Sequence, residues 1–243
     1  MHLSELDITS SLKLIPEGKK RINTINAWSF VVAQSDEDFA DALSSSDALT
    51  PDGKSIVWAS RYLKMPDAPK ERIAGWDLFV FEMKRVQSEA EDDGRRRRVM
   101  FMGSSPRVLE LIRARAAEDY PMLDIVTYSP PYKDSFSQNE NAGIIDAINA
   151  ADPDLLWIGM TAPKQEKWLY ENWDNLDIHC HCGAIGAVFD FYAGTVKRAP
   201  VWMQKAGLEW LHRLCSNPRR LWRRYIIGNA RFIGLIMKEH KTI

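Results

Sequence analysis

Residues able to do chemistry fall in a few short segments of this 243-residue chain. Thr50-Pro51-Asp52-Gly53 sets one carboxylate on what reads as an exposed turn ahead of a helical pattern. A carboxylate placed there suits a general base, and the same residues suit a turn or a helix cap. Asn23-Thr24-Ile25-Asn26 has the same two readings, with Thr24 and Asn26 supplying a hydroxyl and an amide. Three other segments are small, polar and followed by helical patterns. They are Gly103-Ser104-Ser105-Pro106, the run from Gly159 to Glu166 with Lys164 and Gln165 in its first turn, and Gly183-Ala184-Ile185-Gly186. Free backbone N–H groups at helix starts suit phosphate. None of the three is a P-loop or a GxGxxG fingerprint, and small residues also serve tight strand-to-helix turns.

Two segments suggest a metal and are read otherwise. Asp152-Pro153-Asp154 resembles the acidic pair that holds a metal and a nucleotide diphosphate in many sugar transferases. It precedes its strand, however, at the end away from the expected site, and Asp-Pro starts turns. His179-Cys180-His181-Cys182 would send alternate side chains to opposite faces if it is a strand, and no second ligand pair follows at zinc-finger spacing. Cys180, Cys182 and Cys215 are three, too few and too uneven for a disulfide framework. No metal and no cofactor is expected.

The elements that must position these residues alternate from the middle of the chain onward. Strands are predicted at Val99–Met102, Asp124–Tyr128, Leu155–Ile158 and Ile178–Cys182. Helices are predicted at Pro106–Glu118, Glu140–Ala150, Pro163–Trp173 and from about Ala187. Such alternation implies an α/β fold with a parallel sheet covered by helices. Ligands of such sheets sit beyond the carboxyl ends of the strands, where the loops above fall. The N-terminal third is less regular, with helical patterns at Asp36–Ser45, Ser55–Leu63 and Asp77–Glu89. Arg95 to Arg98 read as a solvated approach to a strand.

Hydrophobic residues make up 45% and charged residues 27%, with a formal net charge of −1, so nothing global points to nucleic acid. The average hides a split. Residues 195–243 hold 11 Lys plus Arg against 2 Asp plus Glu, and the rest of the chain holds 21 against 31. After Pro200, Trp202–Cys215 and Arg219–Glu239 are helical patterns. In the second, Trp222, Tyr225, Ile226, Phe232, Ile233 and Ile236 recur near helical spacing beside Arg220, Arg223, Arg224, Arg231 and Lys238. Such a basic amphipathic helix either lies on a membrane surface or docks on the body. Met1 to Leu14 lacks a signal-peptide pattern, and no window approaches about 18 uninterrupted apolar residues. The expected location is the cytoplasm, peripheral to the inner face of the cell membrane. A homo-oligomer is compatible with this reading.

Taken together, the motifs resemble the WecG/TagA/CpsF family of glycosyltransferases. Those that carry the resemblance are Thr24-x-Asn26, Pro51-Asp52-Gly53, Arg72-x-x-Gly75-x-Asp77, Thr161 to Glu166, and Gly183 to Gly194 with Asp190 inside it. Arg198-Ala-Pro200, Glu209-Trp210, Arg213, Pro218 and Arg219 to Tyr225 continue it. The resemblance implies a Rossmann-like parallel sheet with helices on both faces over residues 1–195, plus a basic helical appendage over residues 196–243. It implies inverting, metal-independent transfer of a hexose from a UDP-sugar to a polyprenyl-diphosphate-linked sugar. The hexose is glucose, N-acetylmannosamine or its uronic acid. Asp52 is then the base, with Thr24 and Asn26 near the reacting sugar. Gln165 and Arg72 contact donor or acceptor, alongside Lys164, Asp190 and the loop glycines Gly103, Gly159, Gly183 and Gly186. Arg213, Arg220 and Arg223 reach the diphosphates from the appendage. The rival readings are a non-catalytic membrane adaptor that binds a nucleotide sugar, which would release no UDP when given donor and acceptor, and a phosphate-binding regulatory domain, which would show no preference for uridine.

Overall fold

The computed structural model describes residues 1–242, with the side chains of Lys205 and Arg220 outside the description. Six strands form one parallel sheet: β1 (Lys20–Ile25), β2 (Ala48–Pro51), β3 (Arg97–Gly103), β4 (Leu123–Tyr128), β5 (Leu155–Gly159) and β6 (His181–Ala184). Their spatial order is β2-β1-β6-β5-β3-β4, with every neighbouring pair parallel. The connecting helices are α1 (Ala27–Ala33), α2 (Glu37–Ser44), α3 (Lys54–Tyr62), α4 (Gly75–Asp93), α5 (Pro106–Asp119), α6 (Gln138–Ala151), α7 (Lys164–Asn172) and α8 (Gly186–Tyr192). A C-terminal helical segment follows, made of α9 (Val201–Ala206), α10 (Glu209–Ser216), α11 (Pro218–Trp222), a π-helical stretch Arg223–Ile227 and α12 (Gly228–His240). The fold is α/β and Rossmann-like.

Strand alternation divides the core. Val99, Phe101, Leu155 and Trp157 face one side, where α4, α5 and α8 cover them with Phe79, Met83, Ile112 and Phe189. Met100, Met102, Leu156 and Ile158 face the other, under Ile144 and Ile148 of α6 and Trp168 and Leu169 of α7. Strands buried on both faces read as continuous apolar runs, which is why β3 and β5 stand out in the sequence. Neither β1 nor β2 does. In β1 the buried residues include Arg21 and Asn23, and Asn23 Nδ2 donates to Ala42 O at 3.2 Å and Ser46 Oγ at 2.9 Å.

The fourth predicted strand begins later than its pattern suggests, at His181. Both ring nitrogens of His181 are taken, Nδ1 by Glu82 at 3.0 Å and Nε2 by the Pro16 carbonyl at 2.9 Å. Cys182 points the opposite way, into the core under α6 and α7. Burial alone would raise the Glu82 acid. Its hydrogen bond and charge contact with His181, then those with Arg85, outweigh this and hold it below the usual carboxylate range. Asp154 accepts from the Arg98 N–H at 2.7 Å, which fixes Asp152-Pro153-Asp154 at the amino end of β5. Arg96 and Arg97 pair with Asp124 and Asp93 at the same edge.

The C-terminal segment ends on the body. Phe232 and Ile236 of α12 are 1% and 0% exposed and join a core with α1, α2 and α3. Phe232 meets Phe30 edge-on, with centroids 5.6 Å apart. Glu239 then accepts the N–H groups of Leu3 at 3.0 Å and Ser4 at 2.8 Å, so the two chain ends are tied together. An adjacent side of α12 leaves Ile233 and Met237 exposed. Phe232→Ala is expected to cost about 3–5 kcal/mol in denaturant unfolding, as for a buried core aromatic. A cost under about 0.5 kcal/mol, as at an ordinary surface position, would show that α12 is not docked in solution.

Candidate active site

The carboxyl ends of β2, β1, β6 and β5 lay out the site. Ile25 and Pro51 end β1 and β2 in register. The Asp52 N–H donates to Ile25 O at 2.8 Å, and the Ile73 N–H donates to Pro51 O at 2.9 Å. Gly53 then takes φ +139°, which a side chain rarely tolerates, and α3 begins at once. Held from both flanks, Asp52 is half-buried, not exposed as its Pro and Gly neighbours suggest. Burial raises its carboxyl above the usual range. The charges of Arg213, Arg224 and Arg72 oppose the rise, and Glu209 adds to it.

Thr24 is half-buried in β1, in register with Thr50 and on the same strand face as Ile22. Asn26 caps α1. Its Oδ1 accepts from Trp28 N at 3.0 Å and Ser29 N at 3.1 Å, while Ser29 Oγ accepts from Asn26 N at 2.7 Å. The helix-cap reading of Asn26 therefore accounts for its oxygen, and contact with a ligand falls to Nδ2.

Arg72 reaches its place through Glu209, which lies at the start of α10. Glu209 accepts a short hydrogen bond from Arg72 and another from Arg198 at 3.3 Å. Burial works to raise the Glu209 acid. The bond and charge of Arg72 and then those of Arg198 override it, so it stays below its ordinary value. This cluster ties the C-terminal segment to the loop before α4. Arg213 lies over the Phe191 ring at 5.0 Å.

The remaining arginines differ from expectation. Arg223 is exposed beside Trp222, and its neighbour Arg224 is the one whose charge reaches Asp52. Both lie in the first turn of the π-helical stretch, where Arg224 is partly buried and Arg223 is exposed. The Arg220 side chain lies outside the described residues.

The loop glycines are explained by packing. A Cβ on Gly183 would meet the Trp157 ring at 2.3 Å, one on Gly159 would meet Phe189 at 2.5 Å, and one on Gly103 would meet the Gly159 carbonyl at 2.3 Å. At Gly186 it would meet Met160 O at 2.0 Å. The Gly186 N–H donates to Gln165 Oε1 at 3.1 Å, which locks the β5 loop to the β6 loop. Gln165 is thus brought to the start of α8, and its Nε2 donates to Glu166 Oε1 at 2.9 Å. Lys164 turns the other way, to the Lys133 carbonyl and over the Phe136 ring at 3.7 Å. Asp190 is not gathered with these groups. Its Oδ1 accepts from Thr195 Oγ1 at 3.0 Å and closes the far end of α8. Arg224, Arg198 and Glu166 went unrecognised as site residues. Their one sequence signal was a place inside longer motifs, with nothing in residue type or spacing to mark them.

A half-buried acid facing arginines lies at the carboxyl edge of the parallel sheet, where such folds bind ligands, and the arginines suit an anionic one. Residues 2–243 match the Glycosyl transferase WecG/TagA/CpsF family, and the chain belongs to it. It is similar to the N-acetylglucosaminyldiphosphoundecaprenol N-acetyl-beta-D-mannosaminyltransferase of Bacillus subtilis, with 31% identity over 221 residues, 91% of this chain and 80% of that one. The protein of the same name from Bacillus spizizenii is 31% identical over 200 residues, covering 82% and 72%.

Glu209 offers a direct check on how the segment is joined. Glu209→Gln is expected to cost about 2 kcal/mol of stability at neutral pH, the scale of a hydrogen bond to a charged group. Because the folded-state acid is depressed, this difference is present above the unfolded value of about 4.3 and shrinks as pH falls through the lower folded one. Urea melts of both proteins between pH 3 and 7 measure it. A difference that grows on acidification would contradict the cluster.

Proposed function

We propose that the protein is an inverting hexosyltransferase that moves a hexose from a UDP-sugar onto a polyprenyl-diphosphate-linked saccharide at the cytoplasmic face of the membrane. The observation that carries this reading is the half-buried Asp52 carboxyl under the charges of Arg213, Arg224 and Arg72. In the proposed reaction Asp52 takes the proton of the acceptor hydroxyl as that oxygen bonds to the sugar C1. The bond from C1 to the UDP oxygen breaks, and the electron pair leaves with UDP. The arginines and the N-terminus of α7 meet the charge that develops on the diphosphate. Thr24 and the Nδ2 of Asn26 lie beside the reacting sugar, and Arg220 and Arg223 reach the diphosphates when the segment closes over the membrane. The relatives' names support N-acetylmannosamine as the sugar and a β-linked product, the inverted outcome from an α-linked nucleotide sugar.

A membrane-surface position is supported by the exposed Trp202, Trp222, Ile226, Ile233 and Met237 beside Arg219, Arg223, Arg231 and Lys238. Among the described residues no helix is long and apolar enough to cross a membrane. Anionic lipid attracts each nearby Lys or Arg by about 1 kcal/mol, so a few suffice for salt-sensitive binding.

Transfer assayed with UDP-N-acetylmannosamine and a short-chain prenyl-diphosphate N-acetylglucosamine tests the chemistry. Asp52→Asn is expected to keep UDP binding and lower turnover about a hundredfold or more. Because burial raises Asp52, wild-type turnover should fall on acidification at a pH above the ordinary carboxylate value of about 3.9. Turnover in EDTA should match that without it, since Asp152 and Asp154 lie at the amino edge of the sheet and the other such pair, Asp36 and Asp38, is taken up by Lys167. Near-wild-type turnover by the Asn variant would remove Asp52 as the base.

The membrane contact has its own readout. Replacing Trp202, Trp222 and Ile226 together with Ser should weaken sedimentation with vesicles rich in anionic lipid, make what remains sensitive to salt, and leave the thermal melt in place. Unchanged sedimentation would place the contact elsewhere.

A further inference from the structure

Glu166 is a buried acid at the site that the scheme above leaves unused. It lies in the first turn of α7 and is 2% exposed. Its Oε1 accepts from Gln165 Nε2, and its Oε2 has no partner among the described residues. Gln165 is pinned at its other end by the Gly186 N–H, so Glu166 fixes which way the remaining Nε2 hydrogen of Gln165 points. Arg224, from the π-helical stretch, brings its charge to both Glu166 and Asp52, and its buried Nε also lacks a partner among the described residues.

Other charges around α7 are committed elsewhere. Lys167 pairs with Asp36 at 2.9 Å and Asp38 at 3.2 Å near the start of α2, and Lys164 is turned to Lys133 O. From the sheet side β6 brings the thiol of Cys182, and from α8 comes the Gly186 N–H. Arg224 is therefore the one full charge from another element that bears on Glu166 among the described residues.

Resting on the reading of this site as one for a nucleotide diphosphate, we propose that Glu166 is a positioning residue that takes up a proton from solvent when the diphosphate binds. The neutral acid keeps Oε1 as the acceptor that orients Gln165, and it leaves the charge of Arg224 to the ligand. An ionised Glu166 would compete for Arg224 and repel the anion, so ligand and proton favour one another. Burial pushes the Glu166 acid up to about 7 against the hydrogen bond from Gln165 and the charge of Arg224. In the empty site the proton is thus only partly in place at neutral pH.

Calorimetric titration of UDP into the intact protein tests this, between pH 6.5 and 8.5, in buffers of different ionisation enthalpy. Near pH 8 the wild type should take up close to one proton per UDP, and its affinity should fall towards tenfold per pH unit. Glu166→Gln keeps the acceptor oxygen without the titration, and should abolish the uptake and flatten the profile. Arg224→Gln removes the cation that favours the ionised form, and should move the onset of the fall to higher pH. Asp52→Asn should leave the uptake in place. Proton-free binding by the wild type, or uptake that survives in Glu166→Gln, overturns the proposal. If Glu166→Gln melts early, the direction of the Arg224→Gln shift decides in its place. If the folded protein binds no UDP at any pH, the diphosphate reading itself falls, and the role of Glu166 falls with it.

Discussion

The carboxyl of Asp52 loses water as it enters the corner between β2, α3 and the C-terminal segment, where the charges of three guanidinium groups reach it. Loss of water favours the neutral acid and the guanidinium charges favour the anion, so the two effects oppose each other. Burial outweighs the guanidinium charges, so the carboxyl is raised above its ordinary range by an amount that depends on where the arginines lie. Their placement therefore has to be fixed by something outside the site. Glu209 does this for Arg72 through a bond that it shares with Arg198, and Phe191 supports Arg213 from below. Two of the three arginines come from the C-terminal segment and one from the body. The electrostatics of the base thus depend on how the segment is seated.

The sheet edge beside the site is closely packed. Gly103 against the Gly159 carbonyl, Gly159 against Phe189, Gly183 against Trp157 and Gly186 against Met160 O bring three strand-to-helix turns within backbone distance of one another. The Gly186 bond to Gln165 then makes the β5 and β6 loops one unit. A sequence reader sees small residues in such loops and thinks of phosphate. Here the neighbours are protein atoms, and the consequence for function is indirect, because packing at this density is what holds Gln165 and Glu166 in one orientation.

How much was legible follows from the same physics. β3 and β5 announced themselves through apolar runs, and the helices between the later strands through their periodicity. β1 and β2 did not, although they carry Thr24 and lead into Asp52. Arg21 and Asn23 are buried there against backbone carbonyls, so the pattern of polarity no longer reports burial. β2 has four residues and ends in proline at a sheet edge, which gives periodicity too little length to act on. Asp52 itself was recognisable by motif, while its burial was not, because the groups that cover it come from well over a hundred residues further along the chain. Arg224 was hidden because the resemblance gave the diphosphate role to Arg223, and neither residue type nor helical spacing separates two neighbouring arginines.

The charge split along the chain gains a physical sense from these contacts. A segment with a large positive excess would ordinarily be held to an acidic body by many surface pairs, each contributing little. Here the segment docks instead through Phe232 and Ile236, and through Glu239 on the N-terminal backbone. Hydrophobic burial fixes the far end, and the Glu209 cluster fixes the near end. The arginines between these two anchors are released from a structural duty. Arg213 and Arg224 direct their charge inward to Asp52, while Arg219, Arg223 and Arg231 remain exposed alongside Trp222, Ile226 and Ile233. One short stretch thus presents cations to two sides, and a shift that pulls its outer face toward an anionic surface would carry Arg224 relative to both buried acids.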